Sequence, residues 1–176
     1  MNSEFFSEND LKKKGFKFLG KNLNISKNIT IIGEQNISLG DNCRIDDYTI
    51  ISASEGFLKI GSNVHIGGQS YLGCAGGITI HNDINISQGV KMYSKINDYL
   101  NFDNVNKNNA ILNPIEICNN VILGSGTIII GKTRLSEGCV VGALSFVKEN
   151  LEPWNVYAGN PLKFIKKRNK INFNEE

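Results

Sequence analysis

The chain of 176 residues contains two histidines, His65 and His81, and imidazole is the side chain best suited to exchange a proton near neutral pH. His65 directly precedes Ile66, and His81 directly follows Ile80. An outward-facing histidine can act as the general base that removes the proton from an attacking hydroxyl group. The alternative for each histidine is a solvated or packing role on the surface.

The four cysteines indicate neither a metal site nor disulfides, because they are not paired in the sequence and not spaced as metal ligands. Nineteen basic and seventeen acidic residues give a net charge of +2, which is too balanced for a dedicated nucleic-acid surface. No stretch has the form of a signal peptide, and no apolar run approaches the length of a membrane span. We therefore expect a cytoplasmic protein without a metal ion.

One large apolar residue recurs at every sixth position from Leu19 to Val147. Extra residues interrupt this spacing only after every third member, so three hexapeptides make one closed turn of chain. Such a short fixed period is typical of a parallel β-helix. The eighteen recurring positions are Leu19, Ile25, Ile31, Leu39, Ile45, Ile51, Ile60, Ile66, Leu72, Ile80, Ile86, Met92, Ile117, Leu123, Ile129, Leu135, Val141 and Val147.

Each turn is therefore predicted to be a triangular coil of about 18 residues, with one short strand on each side. Stacked coils should lie about 4.8 Å apart, as neighbouring strands do in any sheet. The residue four places after each recurring position should also point inward, and it should be small or β-branched. Residues of this kind stand there, namely Cys43, Thr49, Val64, Ser70, Val90, Val121, Thr127, Thr133, Cys139 and Ser145. We therefore assign Cys43 and Cys139 to the core.

The repeats divide the chain into three parts. Residues 1–18 form an N-terminal cap segment, and residues 19–150 form a β-helix domain of six coils. One long loop, residues 93–116, interrupts the coils, and a loop of this length in a compact domain is usually functional. Residues 151–176 form a C-terminal strand, a short helix and a basic tail.

The two end segments have signals of their own. The run from Ser7 to Asp10 can cap a short helix that continues to Lys14 and ends at Gly15. Such a helix would cover the open first coil. At the other end, residues 155–159 are predicted to form a last strand, and Pro161 to open a short helix that carries Phe164 and Ile165 inward.

The repeats, the single long loop and the C-terminal motif together resemble the hexapeptide-repeat acyltransferases, in particular the galactoside and maltose O-acetyltransferases. The most specific part of the resemblance is the pair of segments Val141 to Lys148 (VGALSFVK) and Trp154 to Lys163 (WNVYAGNPLK). The resemblance implies an all-β, left-handed parallel β-helix, an exception to the usual right-handed crossover. It also implies a homotrimer with active sites at the subunit interfaces, and acetyl-CoA as the acyl donor.

The resemblance also assigns candidate donor-binding residues. In this family the pantetheine arm of coenzyme A lies along the stacked coils near one corner, where small side chains let it approach the backbone. The matching residues are Gly124, Ser125, Gly142 and Ala143, for which ordinary tight-turn chemistry is the alternative. Phosphate groups of coenzyme A require cations. The candidates for this role are Lys148, Lys163 and Lys166, with Lys167 beside them.

The family normally places its catalytic histidine in the long loop, at the position that Asn97 occupies here. Asparagine cannot take up a proton, and Asp98 is the nearest ionisable residue. His65 lies close to the register where related enzymes contact the acceptor. We therefore expect His65 from one subunit to take the proton and Asp98 from the loop to orient it or the sugar. The alternative is that Asp98 itself is the base. Backbone N–H groups near Ser125 would stabilise the oxyanion.

The function implied first is acetyl-CoA-dependent acetylation of a sugar hydroxyl, by direct transfer in a ternary complex, in the modification of a surface polysaccharide or glycan. The second interpretation is N-acetylation of an amino sugar, including a nucleotide-linked one, because an amine needs little activation. A weaker alternative is a trimeric scaffold without catalytic activity. A γ-class carbonic anhydrase is excluded, because two histidines cannot supply its three zinc ligands.

Overall fold

The computed structural model describes residues 4–98, residue 100 and residues 110–170. These residues wind into stacked three-sided coils of short parallel strands, which confirms the predicted β-helix with six coils. The first three coils contain β1 (Phe18–Leu19), β2 (Asn24–Ile25), β3 (Thr30–Ile32), β4 (Ile37–Leu39), β5 (Arg44–Ile45), β6 (Ile50–Ser52), β7 (Leu58–Ile60), β8 (Val64–Ile66) and β9 (Tyr71–Gly73). A 3₁₀ turn at Glu34–Asn36 precedes β4.

The remaining strands begin with the fourth coil. They are β10 (Ile78–Ile80), β11 (Ile84–Ile86), β12 (Lys91–Tyr93), β13 (Lys95–Asn97), β14 (Ala110–Leu112), β15 (Ile115–Ile117), β16 (Ile122–Leu123), β17 (Ile128–Ile130), β18 (Thr133–Leu135), β19 (Val140–Val141), β20 (Phe146–Val147), β21 (Asn155–Ala158) and β22 (Lys163–Lys167). Except for β13 and β14, each strand belongs to one of three long sheets.

The three sheets are the faces of the triangle. The first face has the order β1-β4-β7-β10-β15-β18, the second β2-β5-β8-β11-β16-β19-β21-β22, and the third β3-β6-β9-β12-β17-β20. We name the corners by the faces that they join. The first corner leads from the first face to the second, the second corner from the second to the third, and the third corner from the third to the first face of the next coil.

The core confirms the predicted register. Sixteen of the eighteen recurring residues are buried, and the ten inward residues four places later are buried as well. The two exceptions, Leu19 and Ile31, belong to the first coil and are partly buried against the core. Full burial of one aliphatic side chain stabilises the fold by about 1.5–3 kcal/mol, so this column is the main source of stability.

The N-terminal cap segment contains helix α1 (Glu8–Lys13), as predicted. Ser7 and Asp10 form a capping box, in which the Ser7 hydroxyl accepts the Asp10 N–H at 3.2 Å and the Asp10 carboxylate accepts the Ser7 N–H. Leu11 is 2% exposed and belongs to the core cluster. The helix thus buries Leu11 at the end of the core, as expected of a cap.

The long loop is partly regular. Strands β13 and β14 pair antiparallel, with Lys95 opposite Leu112 and Asn97 opposite Ala110. This hairpin follows β12 directly, so it starts at the third corner. The tip of the predicted loop, residues 101–109 together with residue 99, lies outside the described residues.

The predicted C-terminal helix carrying Phe164 and Ile165 inward is wrong. Residues 163–167 form β22, which pairs antiparallel with β21, and the two side chains are 53% and 54% exposed. The physical reason is the top edge of the second face, where β21 would otherwise leave a row of backbone N–H and C=O groups unpaired. A strand satisfies those groups, and a helix at this place would not.

Candidate active site

The second corner presents a series of free backbone N–H groups. The N–H groups of Gly67 and Gln69 donate to carbonyl oxygens of neighbouring coils, at 2.8 and 3.0 Å. Between them, the N–H of Gly68 has no acceptor in the described part of the chain. The same holds for the equivalent residues of the next three coils, which are Gln88, Ser125 and Ala143.

These four donors form a track along the coils, which we call the donor track (Gly68, Gln88, Ser125 and Ala143). Since successive coils are about 4.8 Å apart, three steps extend the track over about 14 Å. All four residues are at least partly exposed, so an outside ligand can reach their N–H groups. The geometry suits an extended ligand that carries carbonyl groups at intervals.

The predicted glycines beside the track are required by the packing of the coils. A Cβ atom on Gly124 would lie 2.4 Å from the Ala143 nitrogen, and one on Gly142 would lie 2.9 Å from the Cβ of Ala158. Distances this short exclude a side chain at either place. The available ligand contacts here are therefore the N–H groups of Ser125 and Ala143.

Of the predicted cationic residues, Lys163 lies closest to the track. Its partner in the β21–β22 pair is Ala158, which packs directly over Gly142. Lys166 pairs with Val156, farther back on the second face, and Lys148 follows β20 on the third face. All three side chains are exposed, and none forms an ion pair with another described residue. The top end of the track is therefore positively charged.

A polar groove of about 320 Å³ lies beside the lower end of the donor track, and Gly68 and Gln88 line it together with Arg44, Asp46, Asp47, Tyr48 and Gln69. One carboxylate oxygen of Asp46 lies 2.8 Å from Nε2 of His65, and Nε of Arg44 donates to the other oxygen at 2.6 Å. The predicted base His65 thus contacts Asp46, which lines this groove.

The electrostatics of Asp46 decide how His65 is oriented. Burial would raise the pKa of Asp46, but the hydrogen bonds and charges of His65 and Arg44 outweigh burial and lower the pKa. Asp46 is therefore ionised at neutral pH and can only accept hydrogen bonds. It fixes the proton of His65 on Nε2, which leaves the lone pair of Nδ1 as the basic site.

His81 lies on another side of the molecule. Its Nε2 is 3.0 Å from Glu116, which also pairs with Arg134 on the first face. Burial raises the pKa of Glu116, yet the pairs with His81 and Arg134 outweigh burial and lower it. His81 thus has a carboxylate partner on the first face and lies away from the second corner.

The predicted loop residues Asn97 and Asp98 are at the third corner, at the far edge of the third face from the donor track. Asn97 ends β13, and Asp98 accepts a hydrogen bond from the Leu100 N–H at 3.1 Å. Within one chain the structure therefore does not bring Asn97 or Asp98 to His65.

The sequence interpretation did not include Gly68, Gln88 and Asp46. The repeat itself carries the signal for the first two, because each stands two places after a recurring residue, just as Ser125 and Ala143 do. Asp46 has no such signal, since only the stacking of β5 on β8 brings it to His65.

Comparison with known proteins identifies the kind of enzyme. No family model matches the chain. It is 37% identical over 173 residues to a dTDP-4-amino-4,6-dideoxy-D-glucose acyltransferase of Escherichia coli, which covers 94% of this chain and 90% of that protein.

Two solved structures have the same architecture. AntD, an N-acyltransferase from Bacillus cereus in complex with dTDP and 3-hydroxybutyryl-CoA, superposes with a TM-score of 0.88 at 37% identity, over 96% of this chain and 92% of that one. A maltose O-acetyltransferase from Clostridium difficile 630 superposes with a TM-score of 0.62 at 25% identity, over 93% of this chain and 75% of the other. The chain belongs to the hexapeptide-repeat acyltransferases. It is an acyltransferase and not only a scaffold.

Proposed function

We propose that this protein transfers an acyl group from a coenzyme A thioester to the amino group of a nucleotide-linked amino sugar. The observation that carries the proposal is the 37% identity, over almost the whole of both chains, to an acyltransferase for such a sugar. The similarity to an O-acetyltransferase is weaker in both identity and TM-score. The order expected from the sequence, with the hydroxyl acceptor first, is therefore reversed.

The donor track supports binding of coenzyme A at the second corner. The pantetheine arm contains two amide groups, whose carbonyl oxygens can accept hydrogen bonds from N–H groups of Gln88, Ser125 and Ala143. Lys163 at the top of the track, with Lys166 and Lys148 farther away, supplies cations for the phosphate groups. Acetyl-CoA is the simplest such donor, and a longer acyl-CoA would use the same contacts.

An amine acceptor explains why the loop can have asparagine at the position of the usual histidine. A hydroxyl is a poor nucleophile until a base removes its proton, whereas an unprotonated amine already has a free lone pair. The enzyme then needs to position the amine and to accept a proton late in the reaction. Asn97, which cannot carry a proton, is compatible with that smaller demand.

In the proposed reaction, the sugar nitrogen attacks the thioester carbonyl carbon, and a C–N bond forms as the C–S bond breaks. A free N–H of the donor track stabilises the oxyanion of the tetrahedral intermediate. Nδ1 of His65 takes the proton that the nitrogen loses and returns it to the departing thiolate, so that coenzyme A leaves as the free thiol. An acylated nucleotide-linked sugar is an activated glycosyl donor, so the product would supply glycosyl transfer into a glycan.

A homotrimer would complete this site. The donor track and the hairpin lie at opposite edges of the third face, whose outward side chains include Ile50, Ile128 and Phe146, and Ile50 is 41% exposed. A neighbouring copy packed against this face could bring its hairpin to the donor track. We expect a trimer by light scattering. One variant impaired at the second corner and another impaired at the hairpin should each be inactive alone. A mixed trimer of the two should regain activity, because one of its sites combines an intact second corner with an intact hairpin.

The central experiment compares two sugars that differ only in an amine or a hydroxyl at the acceptor carbon, on the same nucleoside diphosphate. The coenzyme A thiol should be released with the sugar that carries the amine and not with the sugar that carries the hydroxyl. With an amine acceptor, the loss of kcat/KM at acid pH follows the substrate amine and persists in the His65→Ala variant. Acylation of the hydroxyl sugar, with an acid limb that disappears in His65→Ala, would restore O-acylation as the function.

A further inference from the structure

A second groove, of about 330 Å³, lies at the third corner beside the hairpin, on the opposite edge of the third face from the donor track. We call it the hairpin groove. Its lining combines two aromatic rings, one ion pair and several hydrogen-bonding side chains, and its residues are Ser52, Ser54, Glu55, Tyr71, Gly73, Cys74, Ala75, Tyr93, Lys95 and Asn97. Neither the donor track nor His65 takes part in it.

The aromatic rings of Tyr71 and Tyr93 are held next to each other by the fold. Their centroids are 5.2 Å apart, with the ring planes tilted by 35°. Tyr71 and Gly73 are in the same strand, and a Cβ atom on Gly73 would lie 2.9 Å from Cε1 of Tyr71. The missing side chain at Gly73 therefore lets the Tyr71 ring lie along the sheet. Both tyrosines are partly exposed, so a flat group can stack on them.

The floor of the groove is rigid, because Ser94 joins the hairpin to the coil beneath it. Ser94 is fully buried. Its hydroxyl group donates a hydrogen bond to the Gly73 carbonyl at 2.6 Å, and Oγ of Ser94 accepts the Gly76 N–H at 2.9 Å. Its carbonyl accepts the Asn113 N–H at 2.8 Å, which ties down the returning strand of the hairpin. The two tyrosines thus lie on a preformed surface.

The charges in the groove favour a neutral ligand group. Lys95 is the only cation among the described residues that line it, and Nζ of Lys95 lies 2.7 Å from a carboxylate oxygen of Glu55. The pair leaves no net positive charge for a diphosphate, which requires cations. Side by side, the ammonium and the carboxylate offer one donor and one acceptor, and the edge of a nucleobase presents the complementary groups.

We propose that the hairpin groove binds the nucleoside part of the nucleotide-linked acceptor. The base stacks on Tyr71 and Tyr93, and its polar edge bonds to Lys95 and Glu55. Ser52 and Ser54 provide hydroxyl groups for the ribose. This assignment rests on the proposed function, and it adds where the acceptor is held and which part of it the chain recognises.

The position of Asn97 connects this groove to the reaction. Asn97 lines the groove and also occupies the loop position where the family normally places its catalytic histidine. A nucleoside bound on the tyrosines would therefore direct its diphosphate and sugar past Asn97, toward the donor track of a neighbouring copy.

The test is calorimetric titration of the full-length protein with dTDP, UDP, ADP and GDP, followed by the nucleoside of the tightest ligand and by pyrophosphate. Replacing one stacking aromatic side chain by alanine weakens the binding of a nucleic-acid base by about tenfold or more. Tyr71→Ala and Tyr93→Ala should each lower the affinity for the nucleotide and for its nucleoside to this extent. Tyr71→Phe should retain most of it, and coenzyme A affinity should stay unchanged in all three variants.

Lys95→Met separates a base contact from a phosphate contact. If Lys95 bonds to the base, the affinity for the free nucleoside falls together with that for the nucleotide. A fall for the nucleotide alone would move the diphosphate into the groove and overturn the assignment. Lys59→Met, at an exposed lysine of the first face, is the matched control.

Two further outcomes distinguish this inference from the proposed function. If the wild-type protein binds a nucleoside diphosphate and both tyrosine variants bind it equally well, the hairpin groove is not the nucleoside site, and the proposed function stands. If the wild-type protein binds coenzyme A but none of the four nucleotides, the proposed acceptor class itself is wrong. Circular dichroism and the thermal midpoint confirm that each variant is folded.

Discussion

The first and second corners of the same coils use equivalent backbone N–H groups in opposite ways. At the first corner, side chains from the next coil accept these N–H groups. The Asp41 N–H donates to Oγ of Ser62 at 3.1 Å, the Ser62 N–H to Oδ1 of Asn82 at 2.8 Å, and the Asn82 N–H to Oδ1 of Asn119 at 2.9 Å. At the second corner, the N–H groups of the donor track have no such partner in the described chain.

The residues that turn the chain differ in the same way. At the first corner the left-handed residue is asparagine or aspartate in five coils, and Nδ2 of Asn63 donates to Asp83 at 2.8 Å as part of a side-chain ladder. At the second corner this position holds Tyr48, Gln69 and Leu144, or glycine. One corner is closed by short polar side chains, and the other is left open to a ligand.

The largest expected effect is at the open corner. Ala143→Trp places a large side chain over the top of the donor track, so we expect coenzyme A affinity to fall by about 100-fold or more, which is about 2.7 kcal/mol. The matched control is Glu137→Trp, the equivalent exposed position of the first corner in the same coil. Titration calorimetry measures both. Equal affinities in the two variants would locate the donor site elsewhere.

The closed corner should respond in stability instead. Asn63→Ala removes a link of the side-chain ladder and a residue suited to the left-handed region, where its φ is 58°. We expect the free energy of unfolding to fall by about 2 kcal/mol. Gln69→Ala alters the equivalent residue of the second corner, with φ of 61°, and should change stability by about 0.5 kcal/mol or less. Urea denaturation of the two variants distinguishes a closed corner from an open one.

The repeat makes the fold predictable to the residue, because every sixth position is apolar and each insertion falls at a single corner. The same register locates Ser125 and Ala143. The register does not indicate which corner has free N–H groups. That depends on whether side chains such as Ser62 and Asn82 accept the N–H groups of the neighbouring coil. The error at Phe164 has a related cause, because the unpaired edge of β21 exists only in the folded molecule.

Contacts between coils were equally inaccessible from the sequence. Asp46 and His65 are nineteen residues apart, and Tyr71 and Tyr93 are separated by a complete coil. The sequence predicts a candidate base, His65, and a functional loop, and both stay predictions. It could not supply the carboxylate that orients the base, or the pair of rings beside the loop.

A smaller effect is expected at Leu144, the left-handed residue of the second corner in the last coil. Its φ is 55° and its side chain is 78% exposed, so it gains little from burial. A left-handed conformation costs a residue with a Cβ about 1–2 kcal/mol, and glycine avoids that cost at some loss of chain entropy. Leu144→Gly should therefore raise stability by up to about 1 kcal/mol while weakening coenzyme A binding, if leucine is retained for the ligand. A less stable variant with normal binding would contradict this.

The smallest expected effect compares the two sets of histidine, carboxylate and arginine, one centred on Asp46 and the other on Glu116. Both carboxylates have a lowered pKa in the folded protein, so each stabilises it above the unfolded-state pKa, 3.8 for Asp46 and 4.5 for Glu116. This stabilisation is lost as the pH falls through the lower folded-state pKa.

Asp46→Asn and Glu116→Gln should each reduce the free energy of unfolding by about 0.5 kcal/mol at pH 7. The difference from the wild-type protein should shrink below about pH 4. Only Asp46→Asn should also lower kcat/KM, because only Asp46 contacts His65, the proposed proton acceptor of the second corner. Equal activity of the two variants, measured as thiol release at pH 7, would remove His65 from the reaction and leave the donor track as the functional part of that corner.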